Sequence, residues 1–391
     1  MDLFTGSDTS LLEQELQVVL DGEHIRFISQ PGIEYWDQVS PADRLLLENI
    51  PPSTDRNILL RGISHGAWGA AVARKSPSSS FTLSDNNFLH LSLAARTLKL
   101  NRIQNAAIST ELIPSGKYDI IAIQLPKGRK LSRRWLAEAF NSLILGGELY
   151  LAGPNHAGIK SVARDASELF GNPLVLAYKK SNRILKFTHQ HQANIPSWFY
   201  QPGIHPGSWY EYKIQLFSRQ LVIKSLPGVF SYNQIDDGTR LLLDTLPSQI
   251  SGSVLDFGCG TGILGLAAAY LGAETVDMID IDSYAIASTE LNTAGIDYAK
   301  FQIYFGADLT PVSDHRYNMI LANLPFHSGR DTNFWFSHHF IQQSRSFLQT
   351  NGELITVANR FIDYEKILRE SFSHIECLNQ TPRYKILRTV P

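Results

Sequence analysis

The chain has 391 residues, of which 43% are hydrophobic and 18% are charged, and its formal net charge is −2 at neutral pH. These values exclude a disordered or fibrous chain, and a nucleic acid would have to be bound by a local basic patch rather than by overall charge. Because the chain has only two cysteines, no basic-then-apolar N-terminal segment and no apolar run long enough for a bilayer, we expect a cytoplasmic protein without disulfides, metal or membrane contact.

The N-terminal elements begin with a predicted helix over residues 10–20, a strand over 24–29 and a second helix after Pro41. Residues 57–66, NILLRGISHG, then have the outline of a strand that ends in a glycine-containing turn. The next predicted strand, 81–84, is followed by Asp85 and a helix. This order predicts an α/β fold with parallel strands.

A similar stretch, SVLDFGCGTG, occupies residues 253–262 and is followed by an alanine- and leucine-rich helix. Its glycines, Gly258, Gly260 and Gly262, would let a ligand approach the backbone more closely than a side chain permits. About twenty positions on, the next strand ends at Asp280, where a carboxylate would hold the hydroxyls of a ribose. The pattern predicts a nucleoside-cofactor site; the alternative is that the glycines serve only the packing of a helix on a strand.

The two stretches belong to a longer repeat with an offset of roughly 200 residues. YDIIAIQLPK (118–127) is matched by YNMILANLPF (317–326), and LGGELYL (145–151) is matched by TNGELIT (350–356). We therefore predict two tandem domains of the same α/β fold, residues 1–188 and 209–391, joined by a linker over 189–208.

The first copy lacks the residues that would contact a ligand in the second. Leu60 stands at the position of Asp256, Ser64 at the position of Gly260, and Gln124 at the position of Asn323. The apolar strand pattern persists, which indicates a scaffold domain whose cofactor site is degenerate. In the second copy, a β-hairpin over 209–225 precedes a capped helix over 236–246, whose N-terminus we expect to help close the site.

The most informative residues follow the fourth strand of the second copy: Asn323, Leu324, Pro325 and Phe326. The side-chain oxygen of Asn323 and the carbonyl of Leu324 could accept both hydrogens of an exocyclic amino group, while Phe326 would stack on the base. The alternative is an asparagine turn followed by a core phenylalanine. Asp308, at the end of the third strand, is placed either to meet the base of a nucleoside or to cap a turn.

The order VLDFGCGTG, IDID, GAD and NLPF resembles the class I S-adenosylmethionine-dependent methyltransferases that act on exocyclic amino groups. PGVFSYNQIDDGTRLLLDTL (227–246), NLPFHSG (323–329) and the degenerate first copy resemble, more narrowly, the bacterial ribosomal RNA guanine-N2 methyltransferases. The resemblance implies two Rossmann-like domains with seven-stranded sheets. It also implies methyl transfer from S-adenosylmethionine to the 2-amino group of a guanine in ribosomal RNA or in an assembling ribosomal subunit.

The resemblance also implies a set of site residues. Those expected to bind the cofactor are Asp256, Phe257, Gly258, Cys259, Gly260, Gly262, Asp280, Ile281, Ala307, Asp308 and Asn323. Those expected to hold the target base for catalysis are Asn323, Leu324, Pro325 and Phe326. Because the related enzymes usually have Asn-Pro-Pro-Phe, Leu324 removes one fixed φ angle from the turn but keeps the backbone carbonyl.

Contacts with RNA are predicted in the first copy, where five basic residues crowd one turn and helix start. This basic run consists of Lys127, Arg129, Lys130, Arg133 and Arg134. It is interpreted either as an RNA-binding surface or as a solvated helix face. His327 in the second copy could contact an RNA phosphate or pack in the turn.

Two other functions stay open from the residues alone. The amino-group site would also suit an adenine or the glutamine side chain of a protein. A non-catalytic RNA-binding assembly protein is the alternative from a different class, which Leu324 favours and the intact glycine turn opposes. Because one chain already contains two copies of the fold, a monomer is expected.

Overall fold

The computed structural model describes residues 13–190, 194–324 and 331–391. The chain divides into two compact units, Met1–Trp209 and Tyr210–Pro391. Each unit contains one seven-stranded sheet and one separate two-stranded hairpin. Among the described residues, no helix has the length and apolar character needed to cross a bilayer.

The described residues of the first unit form nine strands and five α-helices. Its strands are β1 (Gln14–Leu20), β2 (Glu23–Ser29), β3 (Asn57–Arg61), β4 (Ser80–Ser84), β5 (Ala106–Ser109), β6 (Tyr118–Gln124), β7 (Leu143–Pro154), β8 (Leu174–Lys179) and β9 (Asn182–Thr188). Its helices are α1 (Pro41–Asn49), α2 (Ala67–Lys75), α3 (Phe88–Leu100), α4 (Arg129–Ser142) and α5 (Ile159–Phe170).

The second unit repeats this pattern. Its strands are β10 (Tyr210–Leu216), β11 (Arg219–Ser225), β12 (Ser253–Phe257), β13 (Thr275–Asp280), β14 (Lys300–Phe305), β15 (Tyr317–Asn323), β16 (Leu348–Asn359), β17 (His374–Gln380) and β18 (Tyr384–Val390). Its helices are α6 (Asp237–Leu243), α7 (Ile263–Tyr270), α8 (Ser283–Thr293), α9 (Asp331–Ser344) and α10 (Tyr364–Ser371).

The two large sheets have the same strand order. It is β5-β4-β3-β6-β7-β9-β8 in the first unit and β14-β13-β12-β15-β16-β18-β17 in the second. Five strands of each sheet are parallel, and the last two are antiparallel to their neighbours. The shared order confirms the predicted fold of two tandem Rossmann-like domains.

Strand β12 lies between β13 and β15, where the chain direction across the sheet reverses. In an open α/β sheet, the crevice beyond the carboxyl ends of strands at such a point is the usual ligand site. The side chains of β12 alternate between the two apolar layers: Val254 joins the cluster under α7, whereas Leu255 and Phe257 join the cluster under α9 and α10. Asp256 therefore points toward α7 from inside the sheet.

The prediction of a helix over residues 10–20 is wrong. Gln14–Leu20 is strand β1, which pairs with β2 in an antiparallel hairpin. Asp21 and Gly22 form the two-residue loop, with φ of 50° and 84°. An Asp-Gly pair between alternating apolar residues is the pattern of a tight hairpin turn, and this signal outweighs helix propensity.

The segment predicted as a linker, 189–208, packs against the first unit along part of its length. Trp198 and Phe199 are buried, and the Trp198 indole donates to the Glu168 carboxylate at 2.7 Å. The Arg134 guanidinium donates to the backbone carbonyl of Gly203 at 3.0 Å. Aromatic burial and these hydrogen bonds order a segment that has no regular apolar periodicity.

Candidate active site

A cavity of about 470 Å³ lies in the second unit at the carboxyl ends of β12, β13 and β15. Eight of the predicted site residues line it: Phe257, Gly258, Cys259, Gly260, Asp280, Ile281, Asn323 and Leu324. Phe257 is held by the ring of Phe340 on α9, with centroids 4.0 Å apart and the planes 13° from parallel.

The three glycines of the turn have two different roles. All have positive φ, between 59° and 78°, which side chains other than glycine rarely adopt. A Cβ added at Gly258 or Gly260 would meet nothing within 4 Å, so these two leave open space at the cavity wall. A Cβ at Gly262 would come within 3.0 Å of Thr289, so Gly262 serves the packing of α7 on α8.

Asp280 joins the glycine turn to the end of β13. Its Oδ2 accepts from the backbone N–H of Gly260 at 2.8 Å, and its Oδ1 accepts from that of Asp282 at 2.9 Å. Burial raises the pKa of Asp280 despite these hydrogen bonds. Because each carboxylate oxygen has two acceptor positions, Asp280 can still accept from a hydroxyl pair in the cavity.

Asp256 is fully buried behind the turn and does not line the cavity. Its Oδ2 accepts from the backbone N–H of Gly265 in α7 at 2.9 Å, whereas its Oδ1 has no hydrogen-bond partner among the described residues. Burial, together with the nearby charge of Asp280, raises the pKa of Asp256 to about 7. A buried acceptor without a partner fits a site that is completed by a donor from a ligand or a water molecule.

Asn323 is held in one orientation by the N-terminus of α6. Its amide nitrogen donates to the Thr239 hydroxyl at 2.8 Å and to the Asp236 carboxylate at 3.3 Å. Since a carboxylate can only accept, the contact with Asp236 identifies the nitrogen side of the amide. The amide oxygen of Asn323 is thereby left as an acceptor, and Asn323, Asp236 and Thr239 all line the cavity.

The rest of the predicted tetrapeptide is only partly described. Leu324 is 2% exposed and packs in the apolar layer under α9 and α10. Its side chain therefore occupies core space, and its position in the cavity wall is set by packing. Pro325, Phe326 and His327 lie outside the described residues.

The predicted residues Gly262, Ala307 and Asp308 do not line the cavity, whereas Cys259 does. Gly262 packs on Thr289, as described above, and Ala307 follows Gly306, which does line the cavity. The Asp308 carboxylate accepts from the backbone N–H of Thr310 at 2.9 Å, as expected for a turn aspartate. The thiol of Cys259 lies 3.5 Å from the Thr289 hydroxyl, and burial raises its pKa, so it is not an activated nucleophile.

Sequence reasoning did not single out several residues of the cavity. Asp236 caps α6 by accepting from the backbone N–H groups of Gly238 and Thr239, and this capping pattern was the visible signal. The α6 N-terminus was predicted to help close the site, and it contacts Asn323 through Asp236 and Thr239. Phe230, from the stretch 227–246, also lines the cavity, as do Asn359 and Tyr384, which come from segments without a motif.

Most charges of the basic run have partners inside the first unit. Arg129 and Arg133 both donate to the buried Asp165, at 2.7–2.8 Å. Arg134 is 1% exposed and pairs with Glu138, so burial excludes it from an RNA-binding surface. Lys130 donates to Gln201 at 2.8 Å, and Lys127 is exposed. RNA binding by Lys127, Arg129, Lys130 and Arg133 stays a prediction.

The family model for the methyltransferase small domain matches the chain twice, at residues 24–186 and 220–388. A ribosomal RNA small subunit methyltransferase C from Psychromonas ingrahamii is 30% identical over 357 residues, which cover 90% of this chain and 97% of the relative. The chain belongs to this methyltransferase family. The double match assigns both units to the same domain type, in agreement with the repeat in the sequence.

Further relatives carry the same description. The ribosomal RNA small subunit methyltransferase C of Vibrio parahaemolyticus is 35% identical over 272 residues, or 68% of this chain and 76% of that protein. Among solved structures, the T. thermophilus N2 methyltransferase of guanosine 1207 in 16S rRNA, in complex with AdoMet and guanosine, has a TM-score of 0.78 and 24% identity. The match covers 96% of this chain and 98% of that one, and it confirms the fold of both units.

Proposed function

We propose that this protein transfers a methyl group from S-adenosylmethionine to the 2-amino group of a guanine in small-subunit ribosomal RNA. The observation that carries the proposal is the orientation of Asn323, which keeps an amide oxygen free at the wall of a cavity whose other wall is the glycine turn. Together with the Leu324 carbonyl it would offer two acceptors, which match the two N–H groups of an amino group, whereas a hydroxyl has one hydrogen to donate. The family relatives act on ribosomal RNA according to their descriptions.

The residues of the cavity fit the cofactor. When bound, S-adenosylmethionine supplies an electrophilic methyl group on its sulfonium. Gly258 and Gly260 leave room for it beside the turn, and Asp280 has acceptor positions for the ribose hydroxyls. Asp256 lies behind the turn, where its carboxylate accepts from the backbone of α7, and it would support the turn from outside the cavity.

Asn323 acts on the amino group of the guanine. Its amide oxygen accepts one N–H of the amine, and the Leu324 carbonyl accepts the other, which directs the nitrogen lone pair away from the ring and toward the methyl group. The hydrogen bonds to Thr239 and Asp236 fix the amide before the substrate arrives, so no orientation has to be found during the reaction. The displaced proton leaves to water. Pro325 and Phe326 would complete the base site by holding the turn and stacking on the ring.

A guanine within a helix cannot enter this cavity, because its amino group lies in the base-paired stack. The substrate is therefore a loop nucleotide or a base flipped out of its helix. We also propose that the protein acts as a monomer in the cytoplasm, on ribosomal RNA or on an assembling small subunit. The presence of two copies of the fold in one chain supports the monomer.

The decisive experiment is transfer of a labelled methyl group to small-subunit RNA that lacks its own modifications. Nuclease digestion followed by chromatography should place the label on N2-methylguanosine. Label on adenine, or on a ribosomal protein only, would overturn the guanine assignment. The Thr239→Val variant should lower the transfer rate by about tenfold because it frees the Asn323 amide, whereas Thr245→Val, farther along the chain, should leave it unchanged.

A further inference from the structure

A turn at the end of β16 stands at the rim of the cavity. The backbone N–H of Ile362 donates to the carbonyl of Asn359 at 3.0 Å, which makes Arg360 and Phe361 the two central residues of the turn. Asn359 itself lines the cavity. The turn is tied to the start of β18, because the backbone N–H of Arg360 donates to the carbonyl of Arg383 at 2.9 Å.

Two exposed aromatic rings belong to segments that also contribute residues to the cavity wall. Phe361 is 69% exposed, the highest value for a large hydrophobic residue in the described part of the chain. Phe230 is 60% exposed and lines the cavity from the segment before α6. Exposed phenylalanines beside a nucleoside-sized cavity are suited to stack on bases, since every base presents a flat aromatic face.

Two guanidinium groups accompany the rings. Arg360 is exposed and forms no ion pair with a described residue. Arg383 is 77% exposed, and its contact with the equally exposed Asp237 is 3.7 Å long, so water competes with it. The arginines of the basic run in the first unit differ from these, because Arg129 and Arg133 share an ion pair with the buried Asp165 and Arg134 pairs with the buried Glu138.

We propose that Phe230, Arg360, Phe361 and Arg383, here called the rim cluster, bind the nucleotides that flank the target guanine in single-stranded RNA. The rings stack on the flanking bases, and the guanidinium groups pair with the flanking phosphates. The inference rests on the proposed function, since it takes the occupant of the cavity to be a nucleotide of a longer RNA. It assigns RNA recognition to the unit that carries the cavity, in addition to the basic run.

The test compares a five-nucleotide single-stranded RNA with a central guanine against free guanosine. Both are titrated into the full-length protein in the presence of S-adenosylhomocysteine, so that no turnover occurs. Phe361→Ala should weaken binding of the RNA by about tenfold and leave guanosine binding unchanged, because only the RNA reaches the rim. Phe361→Tyr keeps an aromatic ring and should bind the RNA with the affinity of the wild type. Phe217→Ala, at an exposed ring on the hairpin of the second unit, is the matched control and should change neither affinity.

The role of the arginines is tested separately, through the dependence of RNA affinity on salt concentration. Arg360→Gln should weaken RNA binding and reduce the slope of log affinity against log salt by about 0.7, the value for one phosphate contact on a single strand. Arg369→Gln, at an exposed arginine on α10, should leave the slope unchanged.

Full RNA affinity in Phe361→Ala, or an equal loss of guanosine and RNA affinity, would overturn the inference. A wild-type protein that methylates no RNA, while rim variants still weaken RNA binding, would refute the proposed function and leave the rim cluster standing.

Discussion

The two units have the same fold. The positions that line the cavity in the second unit are occupied by interacting side chains in the first. Asp85 corresponds to Asp280 and also accepts from the turn, through the backbone N–H of Ile63 at 3.1 Å, one residue before the counterpart of Gly260. However, His90 stands at the position of Ala285 and bonds to Asp85 at 3.0 Å. Burial alone would lower the pKa of His90, but the charge and hydrogen bond of Asp85 outweigh it and raise that pKa. The His90 ring thus occupies an acceptor in the first unit whose counterpart, the Asp280 carboxylate, lines the cavity of the second unit.

Two other counterparts of cavity residues also have internal partners in the first unit. His65, at the position of Thr261, stacks on Phe27 at 4.3 Å, and burial lowers its pKa to about 4, so it is neutral at physiological pH. Gln124, at the position of Asn323, donates to the Asp43 carboxylate at 3.1 Å and to the Gly62 carbonyl at 2.8 Å in the orientation that satisfies both groups. The strand-end amide is therefore retained as a structural tie to α1. A fold can persist after the loss of its ligand when new side chains use the freed hydrogen bonds.

The largest energetic difference between the two units is expected in their cores. Where the second unit stacks Phe257 on Phe340, the first unit buries an ion pair between Arg61 and Glu138, and Arg134 donates to the same carboxylate at 2.6 Å. Glu138→Leu should lower the free energy of unfolding by about 3–5 kcal/mol, because it leaves buried guanidinium groups without a counter-charge. Trp135 contacts Arg61 at 4.3 Å, so its fluorescence during urea unfolding reports the change.

Phe340→Leu in the second unit is the counterpart of this change and should cost only about 1–2 kcal/mol, because an apolar residue replaces a stacked ring. A loss for Glu138→Leu no larger than that for Phe340→Leu would show that the ion pair does not replace the stack.

Asp256 differs from its counterpart Leu60 in being titratable. Because the pKa of Asp256 is raised in the folded protein, its contribution to stability is present at pH 4 and is lost as pH rises to about 7. Relative to Asp256→Asn, the wild type should lose up to about 4 kcal/mol of unfolding free energy across this range and nothing further above it. Urea unfolding at several pH values measures the difference. An equal pH dependence of unfolding in the wild type and in Asp256→Asn would contradict the burial of this carboxyl group.

The amides at the two corresponding strand ends, Asn323 and Gln124, should contribute unequally to the rate of methyl transfer. Asn323→Ala should reduce the rate of methyl transfer by about 100-fold or more, since it removes the oriented acceptor of the amino group. Gln124→Ala should leave the rate unchanged, because its amide only ties β6 to α1 and the glycine turn. Single-turnover assays with labelled cofactor measure both. Equal losses in the two variants would indicate that these amides act through folding alone.

The smallest expected effect concerns the turn itself. Ser64 keeps the left-handed backbone of its counterpart Gly260, with φ of 51°. Ser64→Gly should stabilise the protein by about 0.5 kcal/mol, because relief of the strained φ exceeds the entropy that glycine adds to the unfolded chain. The reciprocal Gly260→Ser should weaken cofactor binding, because it places a side chain in the open space of the turn. Thermal unfolding measures the first change and calorimetry the second; a destabilised Ser64→Gly would show that the serine makes a compensating contact.

Much of the second unit could be predicted from the sequence because its signals are local. Gly258, Gly260 and Asp280 follow strands at fixed spacing, and strand ends in a parallel sheet converge on one edge. The coupling of Asn323 to Thr239 could not be predicted, since it joins residues 84 positions apart. The internal pairing of the basic run also depends on a distant residue, Asp165 on α5. Charge clusters in a sequence reveal nothing about such buried partners.

We expect the second unit alone to hold the cofactor, and the number of binding sites per chain tests this expectation. Calorimetric titration of the full-length protein with S-adenosylmethionine should give one site per chain. That site should be lost in Asp280→Ala and retained in Asp85→Ala, whose carboxylate is already bonded to His90. Two sites per chain, or binding that survives Asp280→Ala and disappears in Asp85→Ala, would contradict the account.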